Sequence, residues 1–130
     1  MIVIPIKEEV DIVRVRTAVR SMARDIGFGL VDQTRISTAV SELARNAFLY
    51  AGEGEAHIEK LTNPHKGIRI TFIDHGPGIE DIELAMKDGW SSSGNMGKGL
   101  PGSKRLSDHM EIFSEPGQGT TVIIEKWLSV

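Results

Sequence analysis

VDQTRISTAVSELARNAFLYAG, residues 31–52, decides the fold. Within it Ile36, Val40, Leu43, Ala47 and Tyr50 recur at three- and four-residue steps. That spacing lays one apolar stripe along a helix, and the stripe needs a partner layer. Asp32 is the expected N-cap and Gly52 stands just past the end. Glu42 and Asn46 ride on the same helix, about 40° apart around its axis. Each precedes a stripe residue, Leu43 or Ala47, so the pair borders the buried face, where a side chain can line a pocket. An amide oxygen in such a place can ligate Mg²⁺, and a carboxylate beside it can take a proton from an attacking hydroxyl. Solvated helix faces carry similar pairs, and the pair alone leaves both readings open.

Working outward, Ile12, Val15, Val19, Met22 and Ile26 form a second stripe, on a helix that Gly27 ends. Before it, Ile2, Ile4 and Ile6 alternate with Val3, Pro5 and Lys7, the pattern of a short strand that Pro5 keeps near a sheet edge. Downstream, residues 57–61 and 68–73 read as strands around an Asn63-Pro64-His65-Lys66-Gly67 turn. A short helix over 82–87, a Ser/Gly loop over 89–99 and a brief helix over 101–106 follow. Strands at 110–114 and 120–127 then flank the turn Pro116-Gly117-Gln118-Gly119. Neighbouring strands are joined by turns rather than helical crossovers. The expected fold is α+β: a two-layer α/β sandwich, its sheet mixed but largely antiparallel, with the helices on one face.

The chain has 130 residues, which predicts a single domain over 1–130. Hydrophobic content of 40% and charged content of 25% are those of a chain that buries a core. A formal net charge of −3 gives no whole-chain footprint for nucleic acid or an anionic membrane. Absence of cysteine excludes disulfides, thiolate catalysis and Cys-based zinc sites. Met1 to Ile6 lacks a basic lead, so no signal peptide is expected, and the longest apolar run, Ala47 to Ala51, is too short to span a membrane. These features predict a cytoplasmic protein. His57, His65, His75 and His109 lack ligand-like spacing and are expected at the surface.

Three further segments carry chemistry. Asp74 closes a strand and is followed by His75-Gly76-Pro77-Gly78, an acidic group above a turn whose glycines admit close approach. It could accept a hydrogen bond from an exocyclic amine such as adenine's, although Asp before Gly and Pro also suits an ordinary turn. Gly94-Asn95-Met96-Gly97-Lys98-Gly99-Leu100-Pro101-Gly102 offers unpaired amides leading into a helix, a phosphate cradle in principle and a flexible loop otherwise. It is not a Walker A loop, because Gly99 follows Lys98 where Ser or Thr is required. Gly119-Thr120-Thr121 enters the last strand, where a hydroxyl could reach the ligand of Asp74, and β-propensity explains the threonines equally well.

The joint order of these four segments resembles the Bergerat-type ATP-binding fold of the GHKL superfamily, shared by gyrase, Hsp90, histidine kinases and MutL, over nearly the whole chain. SELARN (41–46), DHGPGI (74–79), the glycine pattern ending in GLPG (99–102) and GQGTTV (117–122) further resemble the small stressosome switch serine/threonine kinases of bacterial sigma-factor regulation. The resemblance implies ATP and Mg²⁺, with Asn46 holding the metal and Glu42 as catalytic base. It implies Asp74 on the adenine amino group, Gly76 and Gly78 against the purine, and Gly94, Gly97, Gly99 and Gly102 around the triphosphate, with Leu100 in the same lid. Thr120 would support the adenine end. A phosphate contact by Lys98 rests on charge and position alone, and Arg45, Lys104 and Arg105 receive no role. Implied partners are STAS-domain scaffold or antagonist proteins as substrates, and a PP2C-type phosphatase or another output protein downstream. The competing reading is a nucleotide-gated binding module of the anti-sigma type, in which Glu42 chemistry is dispensable.

Overall fold

The computed structural model describes residues 1–63, 65–79, 86 and 99–128. In chain order the elements are β1 (Ile2–Ile6), α1 (Val10–Ile26), α2 (Leu30–Ala51), β2 (Gly54–Leu61), β3 (Gly67–Asp74), α3 (Gly99–Leu106), β4 (His109–Ser114) and β5 (Thr120–Trp127). The expected helix over 82–87, most of the Ser/Gly loop, Trp90, Gly94, Gly97 and Lys98 lie outside the described residues.

Of the expected stripe on α1, Ile12, Val15, Val19 and Ile26 are buried, joined by Ala23, while Met22 is half-buried at its border. At its start the Asp11 carboxylate accepts the amides of Lys7 and Glu8 at 2.9 and 3.0 Å. These amide hydrogen bonds hold the Asp11 carboxyl below the usual Asp value. At its end Gly27 adopts φ 117° and its amide reaches the carbonyls of Ala23 and Arg24. α2 starts two residues before the expected Asp32 cap, from Gly29. Phe28 is buried and its carbonyl accepts the Gln33 side chain at 2.8 Å, so the chain turns into α2 earlier than the cap signal suggested. Asp32 instead sits in the first turn, 3.3 Å from Arg35 and 3.7 Å from Lys126.

The sheet order is β1-β2-β3-β5-β4. Every pairing among the described strands is antiparallel, which narrows the expected mixed sheet. β1, with Pro5, is an edge strand as expected. Ala56, Ile58, Ile68, Ile70, Phe72, Val122 and Ile124 point to one face and are buried in one core with the apolar stripes of α1 and α2. The other face carries an ionic network beside scattered apolar residues such as Ile73, Phe113 and Ile123: Arg69 bridges Glu125 at 2.7 Å and Glu59 at 3.2 Å across three strands. This alternation is what an antiparallel sheet covered on one side requires. His57 departs from the surface expectation, because its position on the central part of β2 leaves its side chain only 27% exposed. α2 packs against α1 on one flank and α3 on the other. No helix among the described residues is long and apolar enough to cross a membrane.

Candidate functional site

Pairing of β3 with β5 sets Asp74 directly opposite Thr120, and pairing with β2 sets it opposite Gly54. Asp74 Oδ1 accepts two backbone amides, from Gly76 at 3.0 Å and Thr120 at 3.2 Å. Both bonds fall on one oxygen, so Oδ2 is the one left to meet a ligand. Burial pushes the Asp74 carboxyl above its usual range, opposed by those two amides and by His75.

The glycines that follow are demanded by the protein's own backbone. A Cβ on Gly78, at φ +78°, would lie 2.2 Å from the Glu115 carbonyl oxygen, and one on Gly119, at φ +83°, 2.2 Å from that of Asp74. Gly76 sits against Ala51 at the end of α2, where an added Cβ would lie 2.6 Å from the alanine Cβ. Ser114, which sequence reasoning missed, ties these pieces together. Its Oγ accepts the Ile79 amide at 2.8 Å, donates to the Gly119 carbonyl at 2.9 Å and lies 2.9 Å from Thr120 Oγ1. One hydroxyl thereby uses its proton and both lone pairs. A lone serine at a strand end carries no signal that would have singled it out.

The cavity beneath this turn is lined by Asn46, Asp74, Thr120, Leu43, Ala47 and Leu100, together with Phe72, Ile79 and Val122. Its free space is about 30 Å³, close to one water molecule. Asn46 Nδ2 is buried there with no hydrogen-bond partner among the described residues. An orphaned polar group in an apolar pocket is costly unless a ligand meets it. The shallow groove along β4 and β5 is larger, about 460 Å³, but Glu115 is the only ionisable side chain among its described lining residues.

Glu42 does not line the cavity. It stands one turn before Asn46, its side chain 43% exposed, with an oxygen 3.5 Å from Arg45 Nη1. The helix therefore presents Asn46 inward and Glu42 at the rim. Gly99 opens α3, slightly earlier in the chain than expected, and Leu100 is buried in the cavity wall. Gly102 lies within α3, where an added Cβ would meet nothing closer than Arg105 Nη2 at 3.9 Å. α3 is fastened to α2 by Ser103 Oγ on the Ala39 carbonyl at 3.3 Å. Of the expected site residues, the structure thus brings Asn46, Asp74, Leu100 and Thr120 into one cavity, with Gly76 and Gly78 in the turn above it.

A five-stranded antiparallel sheet backed by helices, with a half-buried Asp at a strand end lining one cavity with a helix-borne Asn, is the arrangement of an ATPase-type domain. Residues 31–129 match the histidine kinase-, DNA gyrase B-, and HSP90-like ATPase family, and the chain belongs to it. Within that family it belongs with the RsbT-like kinases: it is 51% identical over 124 residues to serine/threonine-protein kinase RsbT of Bacillus subtilis, covering 95% of this chain and 93% of that one. It is also 32% identical to the anti-sigma F factor of Thermoanaerobacter sp. strain X514, covering 87% of this chain and 82% of that one. Among solved structures, the RsbU and RsbW domains of Rv1364c from Mycobacterium tuberculosis align with a TM-score of 0.68 at 19% identity. That match covers all of this chain and 33% of the other. The mycobacterial sensor histidine kinase MprB aligns at 0.59 and 20% identity, covering 98% of this chain and 99% of that one. These two likenesses bear on the fold alone.

Proposed function

We propose that this chain is a cytoplasmic, Mg²⁺- and ATP-dependent protein serine/threonine kinase. Its acceptors are serine or threonine hydroxyls of STAS-domain proteins, and once released from them it activates a PP2C-type phosphatase or another output protein. The observation that carries the reading is that half-buried Asp74 and orphaned Asn46 Nδ2 line one largely apolar cavity. The 51% identity to a protein serine/threonine kinase supports it.

In this reading Asp74 Oδ2 accepts the adenine amino group, while Oδ1 is kept in place by the Gly76 and Thr120 amides. Phe72, Ile79, Val122 and Leu100 exclude water around the purine. A carboxamide is a hard oxygen ligand once its amide is turned, so Asn46 fits Mg²⁺, which neutralises charge on the phosphates when bound. Glu42, at the rim, takes the proton of the acceptor hydroxyl. That step is worth about 10²- to 10⁴-fold. Gly94, Gly97, Lys98, Gly99 and Gly102 contribute amides and one cation to the triphosphate.

A second reading has a specific observation behind it. Glu42 stands outside the cavity lining, beside Arg45, and the anti-sigma F relatives are recognisably similar, as a nucleotide-gated binding module would allow. Transfer of label from γ-labelled ATP to a STAS-domain protein separates the two. The kinase reading expects transfer by the parent and its loss in Glu42→Ala, with nucleotide binding retained. Nucleotide binding without transfer by either protein would favour the binding module.

A further inference from the structure

Ser114 fixes more than the shape of the turn above the cavity. The Gly119 carbonyl, 2.9 Å from its Oγ, can only accept, so the serine proton goes there. The Ile79 amide, at 2.8 Å, can only donate, so it takes one lone pair. Thr120 Oγ1, at 2.9 Å, is left with the other lone pair and must give it its own proton. Any further hydrogen bond made by Thr120 Oγ1 is therefore one that it accepts. Asp74 reaches the same condition by another route. Its Oδ1 takes both the Gly76 and the Thr120 amides, and an ionised Oδ2 has no hydrogen to offer. The two residues stand opposite each other in the register of β3 with β5, and both line the cavity. Asn46 Nδ2, unpaired on the α2 wall, reaches neither of them. This end of the cavity thus presents two acceptors side by side. Backbone hems in the serine hydroxyl, since a Cβ on Gly78 would lie 3.3 Å from Oγ and Gly119 is buried.

We propose that Ser114 is a positioning residue for base selection. By holding Thr120 as an acceptor, it makes the cavity select a purine with an exocyclic amine over one with a keto oxygen in the same place. The inference rests on the placement of adenine against Asp74 Oδ2 proposed above. An exocyclic amine carries two hydrogens, one for each acceptor, whereas a keto oxygen sets its lone pairs against both. Acceptor facing acceptor leaves polar groups on both sides unpaired, which costs more than losing a single hydrogen bond. Asp74 supplies part of this preference by itself, and the fixed threonine hydroxyl multiplies it. Without Ser114 the Thr120 hydroxyl is free to turn and donate to a keto oxygen, so the second acceptor becomes indifferent to the base.

The test is equilibrium binding of ATP and of inosine triphosphate (ITP) to the full chain, each with Mg²⁺, by isothermal titration calorimetry. ITP replaces the amine of ATP by a keto oxygen. The parent is expected to prefer ATP, and Ser114→Ala should lower that preference about tenfold, as when one hydrogen bond changes from opposed to made. Ser114→Ala also strips the Ile79 amide of its partner, so its thermal midpoint and its affinity for both nucleotides should fall. Only the ratio of affinities reports base selection. Thr120→Val keeps the side-chain shape without the hydroxyl, and adding Ser114→Ala to it should leave the ratio where Thr120→Val set it. The proposal is overturned if Ser114→Ala retains the parental ratio, or if it changes the ratio equally in the Thr120→Val background. Should Ser114→Ala not fold, the threonine variants decide: the preference must fall in Thr120→Val and be restored in Thr120→Ser, and any other pattern overturns the proposal. Failure of the underlying adenine placement has a different signature. Asp74→Asn would then bind ATP and ITP as the parent does, and the inference would fall with that placement.

Discussion

Asp74 concentrates the conflict between stability and binding in a single side chain. Burial raises its carboxyl above the usual value of 3.8, so the folded chain holds that proton more tightly than the unfolded one. Its favourable contribution is complete below the unfolded value and is lost as pH rises through the folded one. Above that folded value the ionised group therefore strains the ligand-free fold. Asp74→Asn keeps an oxygen that can accept the Gly76 and Thr120 amides while removing the charge. Calorimetry across pH should find this variant at least as stable as the parent at pH 7, with the advantage vanishing at acid pH. Isothermal titration should find its ATP binding lost, because an amide cannot offer the same charged acceptor to the adenine amine. Asp11 has the opposite sign: amides hold its carboxyl down, so its contribution is present above the unfolded value and lost as pH falls through the folded one. An acid-limb comparison that ignored either residue would misassign the other.

At the scale of the element, α3 is the informative one. A glycine inside a helix costs about 1 kcal/mol relative to alanine, and at Gly102 no neighbour among the described residues forbids a methyl group. Packing among the described residues thus does not explain the glycine, unlike Gly78 and Gly119, whose positive φ and backbone neighbours exclude a side chain. If amides at the start of α3 are kept accessible for phosphates, Gly102→Ala should stabilise the ligand-free protein by about 0.5–1 kcal/mol in urea unfolding while weakening ATP binding. A gain in stability with undiminished binding would remove Gly102 from the nucleotide site. α2 shows how far local signals carry. Its stripe was legible because period 3.6 is a property of neighbours in sequence. Its start was not, because Phe28 and Gln33 settle it through a buried contact beyond the cap residue.

For the whole molecule, a ligand that binds the folded chain and not the unfolded one raises stability by mass action. Mg²⁺ and ATP at a hundred times the dissociation constant should therefore stabilise the parent by about 2.7 kcal/mol, read as a rise in thermal midpoint. No such rise is expected for Asp74→Asn. A midpoint unmoved by saturating nucleotide in the parent would mean that the cavity does not hold it.

Periodicity, turn chemistry and the joint order of four short motifs were sufficient to read the α+β class, the two hairpins, the edge position of β1 and the family. Those are properties of residues close in the chain, or of motif order, and a sequence displays both. Asn46, Asp74 and Thr120 were each ambiguous alone, because a polar residue at a helix border or a strand end has many ordinary uses. Only the tertiary structure decided that they share one cavity, that Ser114 fastens the turn above it, and that Glu42 stands outside its lining, beside Arg45. The physical reason is register: the pairing of β3 with β5 and the packing of α2 against the sheet bring together groups far apart along the chain, and no local pattern encodes where those distant partners meet.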